Sequence, residues 1–211
     1  MPFDRIRNAH LEQVAAELYS DQMPYHNFKH VFGTLEAAEL LVERCLNGGV
    51  PINCEVVYYA LLFHDAGYHE DYIKKGFITK EEYSVYLAIQ CLRAEAIPED
   101  TIKTVVAAIL STKRDAQPTS NEEKAVRAAD LAGLASDYKT FRSDVEKLRQ
   151  ESERLTGRNV AWDEWKTSTE ETVRFYLSQR IQFTQPNACV DDAAAFYARA
   201  HQNLSRLLNE D

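Results

Sequence analysis

The residues able to do chemistry sit in three short strings. YHNFKH carries His26 and His30, LLFHDAGYH carries His64 followed at once by Asp65, and VRAADLAGLA carries Asp130. The residues around Asp130 (Ala128, Ala129, Ala132, Gly133 and Ala135) are small, so another helix can approach closely. A buried imidazole and a buried carboxylate both need partners, and one divalent ion serves both. Each residue also has a plainer reading. Asp130 could pair with Arg127 or Arg114, His64 could be a satisfied core histidine, and His26 could be a cap or a loop hydrogen-bonder. Together, in the order H, HD, D on successive buried helices, they favour a metal site.

The elements that must position these residues read as helices. Apolar periodicity predicts a first helix over about 3–20 and a second over about 28–46, with Pro24 between them and Asn27 as N-cap. A third starts near Asn53. Its centre, VVYYALLF, is apolar on every side, which marks a buried helix, and Gly67 is a terminator. After a polar, aromatic-rich connection, a fourth helix covers about 79–94, with Thr79 and Glu82 spaced as a capping box. Further helices are expected over about 98–112, 122–135, 137–155, 162–183 and 190–208. Trp162, Trp165, Phe175, Tyr176 and Phe183 are spaced as core contacts of a helical cap. No segment alternates as a strand does, so the fold class is all-α.

Composition agrees and sets limits. Seven Gly and six Pro in 211 residues disfavour a turn-rich β architecture. The length suits one domain with one sizeable core. A formal charge of -9 repels a phosphate backbone, so no polymeric nucleic acid partner is expected. A small phosphorylated substrate is compatible, because an ion reverses the field inside one pocket. Cys45, Cys54, Cys91 and Cys189 show no CxxC spacing and read as buried free thiols. The chain lacks a signal-peptide core and a membrane-length apolar run, so a cytoplasmic setting with no membrane partner is expected.

The order H…HD…D, with YHNFKHV, FHDAGY, a helix containing EEYS, and AADLAGL, resembles the HD-domain superfamily of metal-dependent phosphohydrolases, and its small bacterial branch in particular. The resemblance covers about residues 24–180. YHNxxH followed by HD is also similar to the cyclic-nucleotide phosphodiesterases, which share the helical core. The resemblance implies an HD-type bundle of about eight to nine helices, with a motif core over about 24–136 and a helical cap over about 137–211. It implies His30, His64, Asp65 and Asp130 as metal ligands and His26 as the general acid. Two positions depart from these relatives. Tyr68 stands where the phosphodiesterases have His, with His69 one further on, and Asp115 stands where small HD proteins often carry His. The expectation is therefore one ion, or one tight and one weak.

Two imidazoles and two carboxylates form a mixed N/O set that suits Mn, Fe, Co, Ni or Mg better than structural zinc. A six-coordinate ion so held keeps two positions for a water and a phosphate oxygen. Asp65 can then accept the water's proton, and His26 can protonate the leaving oxygen. Lys113 and Arg142, with Lys29, are candidates for the remaining phosphate oxygens, though each also reads as a solvated charge. Glu81 and Glu82 could hold a water near the ion. The expected activity is hydrolysis of a phosphate ester or a nucleotide-like substrate by a chain that could form a homodimer. The rivals are a non-catalytic HD module that binds a nucleotide or a protein partner, and an oxygenase with two irons. The missing histidines speak against the oxygenase.

Overall fold

The computed structural model describes residues 1–179, 181 and 190–210, and among these the chain is all helical, with no strand. Nine α-helices follow in order: α1 Ala9–Ala16, α2 Phe28–Asn47, α3 Cys54–Phe63, α4 Lys80–Ala94, α5 Glu99–Leu110, α6 Asn121–Asp130, α7 Tyr138–Thr156, α8 Trp162–Ser178 and α9 Val190–Leu208. A short 3-10 helix, Leu131–Ala135, joins α6 to α7. Cys189, Phe183 and Pro186 lie outside the described residues. No helix among those described is long and apolar enough to cross a membrane.

The centre of the N-terminal part is α3. Asn53 caps it, accepting from the backbone N–H groups of Glu55 and Val56, and every residue from Val56 to Phe63 is buried. A helix apolar all round must be enclosed, and α2, α4, α5 and α6 pack on it. α2 contributes Val31, Leu35, Ala38 and Val42 to this core, and α5 contributes Ile102, Val105 and Ile109. The C-terminal helices build smaller clusters. Val173, Leu177, Ala200 and Leu204 form one, and Phe141, Val145 and Leu207 form another with Trp162 and Trp165 against it.

Three boundaries differ from the sequence reading, one being α8, which ends at Ser178 with Gln179 as C-cap and not near 183. The first helix spans only Ala9–Ala16, because the Asn8 side chain accepts from the N–H groups of His10 and Leu11 and starts the helix there. The sixth stops as an α-helix at Asp130, five residues early, and tightens into the 3-10 segment. Asn203 of α9 donates to the carbonyls of Leu134 and Ser136, satisfying acceptors that a continued helix would have used itself. Among the described cysteines Cys45 is buried, while Cys54 and Cys91 are half-buried and not, as expected, fully buried.

Candidate metal centre

Three helices deliver the four expected ligands. His30 lies in the first turn of α2, which Asn27 caps by accepting from the Lys29 N–H. His64 is the C-cap of α3, and Asp65 follows it into the turn. Gly67 makes that turn possible: its φ is +73°, and it donates its N–H to the Leu18 carbonyl. Ser84 of α4 pins the same turn from outside through a 2.9 Å bond to the Ala66 carbonyl. Asp130 is the last α-helical residue of α6.

One ligand atom from each of His30, His64, Asp65 and Asp130 lies within 4.8 Å of all the others. His64 Nε2 is 3.0 Å from Asp65 Oδ2 and 3.5 Å from Asp130 Oδ1. His30 Nε2 is 3.6 Å from both carboxylates and 3.4 Å from His64 Nε2. Both alternative partners for Asp130 are placed elsewhere: the exposed Arg114 guanidinium lies 4.7 Å over the Phe175 ring. Arg127 is buried and donates to the carbonyls of Ser111, Lys113 and Arg114 and to Gln179 Oε1.

The donor set fits a cation. His64 Nδ1 lies 2.8 Å from the Leu61 carbonyl, which can only accept, so Nδ1 carries a proton. The lone pair of a neutral His64 is then on Nε2, facing two carboxylates, and only a positive charge between them makes that arrangement favourable. Without an ion the charge comes from a proton. Burial pushes the His64 pKa down, but the adjacent Asp65 and the bonds to Asp130 and Asp65 outweigh it and raise the value to about 10. Burial lowers the pKa of His30, which its bond to Asp130 only partly offsets. Burial works against ionised Asp65, yet His64, Lys80 and His26 hold its carboxyl well below the usual range. Asp130 is lowered in the same way by His30 and His64, against its own desolvation.

His26 stands beside this cluster. Its Nε2 is 3.9 Å from Asp65 Oδ2. Its Nδ1 is in short contact with Glu151 of α7, whose other oxygen accepts from the backbone N–H groups of Tyr25 and His26. The ring stacks on Tyr68 at 3.9 Å between centroids, nearly parallel at 18°. Position, tilt and tautomer of His26 are therefore set by neighbours, as a proton donor requires.

The outlying candidates are placed differently. Lys113 makes an ion pair with Glu82 at 3.0 Å. Arg142 bonds Glu210 and Glu146 and stacks on Trp162 at 3.9 Å, within the C-terminal helices. Lys29 and Asp115 are exposed, and so is His69. Glu81 is buried and lies 3.3 Å from Lys80 Nζ, while Glu82 accepts from the Ile78 N–H at the start of α4.

Two residues central to this geometry escaped the sequence reading. Glu151 falls three positions past Leu148 on the stripe begun by Phe141 and Val145, so an acid on a buried stripe was its signal. Lys80, whose Nζ is 2.7 Å from Asp65 Oδ1, gave none, since a lysine opening a helix is ordinarily solvated. No protein-family model matches the chain, and no curated protein matches it.

Proposed function

We propose that the chain is a metal-dependent phosphohydrolase of the HD type. One observation carries this reading: His64, with its Nδ1 proton donated to the Leu61 carbonyl, aims Nε2 at the buried Asp65 and the half-buried Asp130 carboxylates beside a second imidazole. Such a set holds one divalent ion of the Mn, Fe, Co, Ni or Mg type through His30, His64, Asp65 and Asp130. When bound, the ion supplies Lewis acidity toward a water and a phosphoryl oxygen. Asp65 would orient the attacking water by accepting its hydrogen bond, and the proton the water loses goes to solvent. His26, oriented by Glu151, gives a proton to the leaving oxygen. Tyr68 and Tyr25, packed against His26 and His30, keep bulk water from the imidazoles.

A module that only binds needs no oriented imidazole next to the ligands, and the His26–Glu151 pair is such a group. The substrate class is a small phosphate ester, and the acidic surface disfavours a polymeric one. Metal analysis of the purified protein, followed by a phosphoester and nucleotide panel with that metal added, tests the proposal. Asp65→Ala should lose both the bound ion and the hydrolysis; a variant that keeps stoichiometric metal overturns the ligand assignment.

A further inference from the structure

The two oxygens of Asp65 face different neighbours. Oδ2 points into the imidazole cluster, 3.0 Å from His64 Nε2, 3.6 Å from His30 Nε2 and 3.9 Å from His26 Nε2. Oδ1 carries the Lys80 ammonium at 2.7 Å. The same ammonium lies 3.3 Å from Glu81 Oε1 and 5.3 Å from the centroid of the Tyr68 ring. Thr79 fixes its origin by capping α4 through a bond from the Glu82 N–H, so Lys80 starts from the first helical residue. Three features thus bracket one cation: a buried carboxylate oxygen, a buried glutamate and an aromatic face.

A carboxylate that bridges two metal ions uses one oxygen for each. At Asp65 the second oxygen is already bonded to a cation carried by the chain itself, 2.7 Å away and flanked by Glu81 and the Tyr68 ring. We infer that Lys80 takes the place of a second metal ion and makes this centre mononuclear. The inference rests on the metal reading above and goes beyond it: the missing histidines only suggest a single ion, whereas Lys80 supplies a physical reason for it at Asp65 Oδ1. Lysine differs from a metal ion in kind as well as in charge. It binds no water and activates no nucleophile, but it neutralises the outer side of Asp65 and presents N–H donors there. It is a positioning residue: it holds Oδ1 and so keeps Oδ2 turned toward the ligand cluster.

The test is a stoichiometry, read without any substrate. Equilibrium dialysis of the full chain against Mn²⁺ alone should saturate at one equivalent, with the electron paramagnetic resonance signal of an isolated ion. Lys80→Ala frees Asp65 Oδ1 and Glu81 together and should admit a second, weaker equivalent with a spin-coupled signal. Lys80→Arg restores the charge and should return to one. Circular dichroism checks that the variants fold, and the wild-type count stands even where one does not. Two equivalents in the wild type, or one in a folded Lys80→Ala, overturns the role of Lys80. No bound Mn²⁺ in the wild type overturns the inference and the metal reading together. One equivalent with no hydrolysis on the substrate panel overturns the proposed activity alone.

Discussion

His26 and His64 are both imidazoles beside Asp65, yet their surroundings give them different work. His64 has its Nδ1 proton committed to Leu61 and its Nε2 among the ligands, whereas His26 has its Nδ1 on Glu151 and its Nε2 at the margin. His26→Ala should keep the ion and lose rate by roughly 10²–10⁴-fold. The loss should shrink for nitrophenyl phosphate, whose leaving group departs without a proton; equal losses on good and poor leaving groups would count against an acid. Glu151→Gln should retain metal and lower kcat more than it raises KM, by about 10–100-fold, because the ring is then oriented by a weaker, uncharged acceptor. The protonation of His64 gives a second test, on protein stripped of metal. Its folded pKa of about 10 lies above the ordinary imidazole value of 6.5 expected in the unfolded chain, so its contribution to stability is complete below pH 6.5 and is lost as pH rises through 10. The carboxylates run the other way: with lowered pKa values, Asp65 and Asp130 contribute above the ordinary carboxylate range and lose that contribution as pH falls. Denaturant midpoints of the chelated protein should therefore fall between pH 6.5 and 10, and the metal-loaded protein should lack this fall, since the ion replaces the proton. Identical profiles with and without metal would rule the account out. His64, Asp65 and Asp130 were legible in the sequence because a polar group in an apolar run needs an explanation, and His30 through its order with them. Lys80 and Glu151 sit among other charges, and only the rotation of their helices turns them inward.

At the scale of elements, capping chemistry decides most of the geometry. Asn27, Asn53, Thr79 and Ser120 each start a helix with a side-chain oxygen on a backbone N–H, and α2, α3, α4 and α6 are the helices that carry or support the site. Those starts could be read from residue type alone, and the fold class followed. The ends could not. α6 was expected to continue to Ala135, because alanine and leucine are good helix formers, but Asn203, more than sixty residues further along, takes the terminal carbonyls. Such a long-range bond leaves no local mark. The turn after α3 is the most exacting element. A Cβ at Gly67 would collide with the Tyr83 ring and lie 2.8 Å from Leu87 Cδ1, in a backbone conformation that L-residues avoid. Gly67→Ala should cost about 2–4 kcal/mol in denaturant unfolding. Since the turn aims His64 and Asp65, the variant should also bind metal less tightly; unchanged affinity would show that the turn adapts without moving the ligands.

Across the whole molecule, the site lies where two sets of packing meet. His30, His64 and Asp65 come from helices of the large core, whereas Glu151 comes from α7, whose Phe141 and Val145 belong to a C-terminal cluster. Asp130 stands at the junction, the last residue of α6 before the 3-10 segment that α7 and α9 pack upon. The donors are thus far apart along the chain, at positions 30, 64, 65 and 130, and they converge only when the helices are docked. An ion held by all of them acts as a cross-link spanning about a hundred residues, and an unfolded chain cannot reproduce it. Mass action then ties heat resistance to free metal concentration: at a hundred times Kd the gain is about 2.7 kcal/mol, or about 5–10 °C in Tm for a chain of this size. A melt in excess chelator should fall by that amount and recover on adding the ion back, and a Tm indifferent to chelator would contradict the cross-link. If the ion binds there, the same convergence couples the folded state to metal supply: a chain without it would lack the tie between α2, α3 and α6 at Asp130, and limited proteolysis with and without chelator would read the difference.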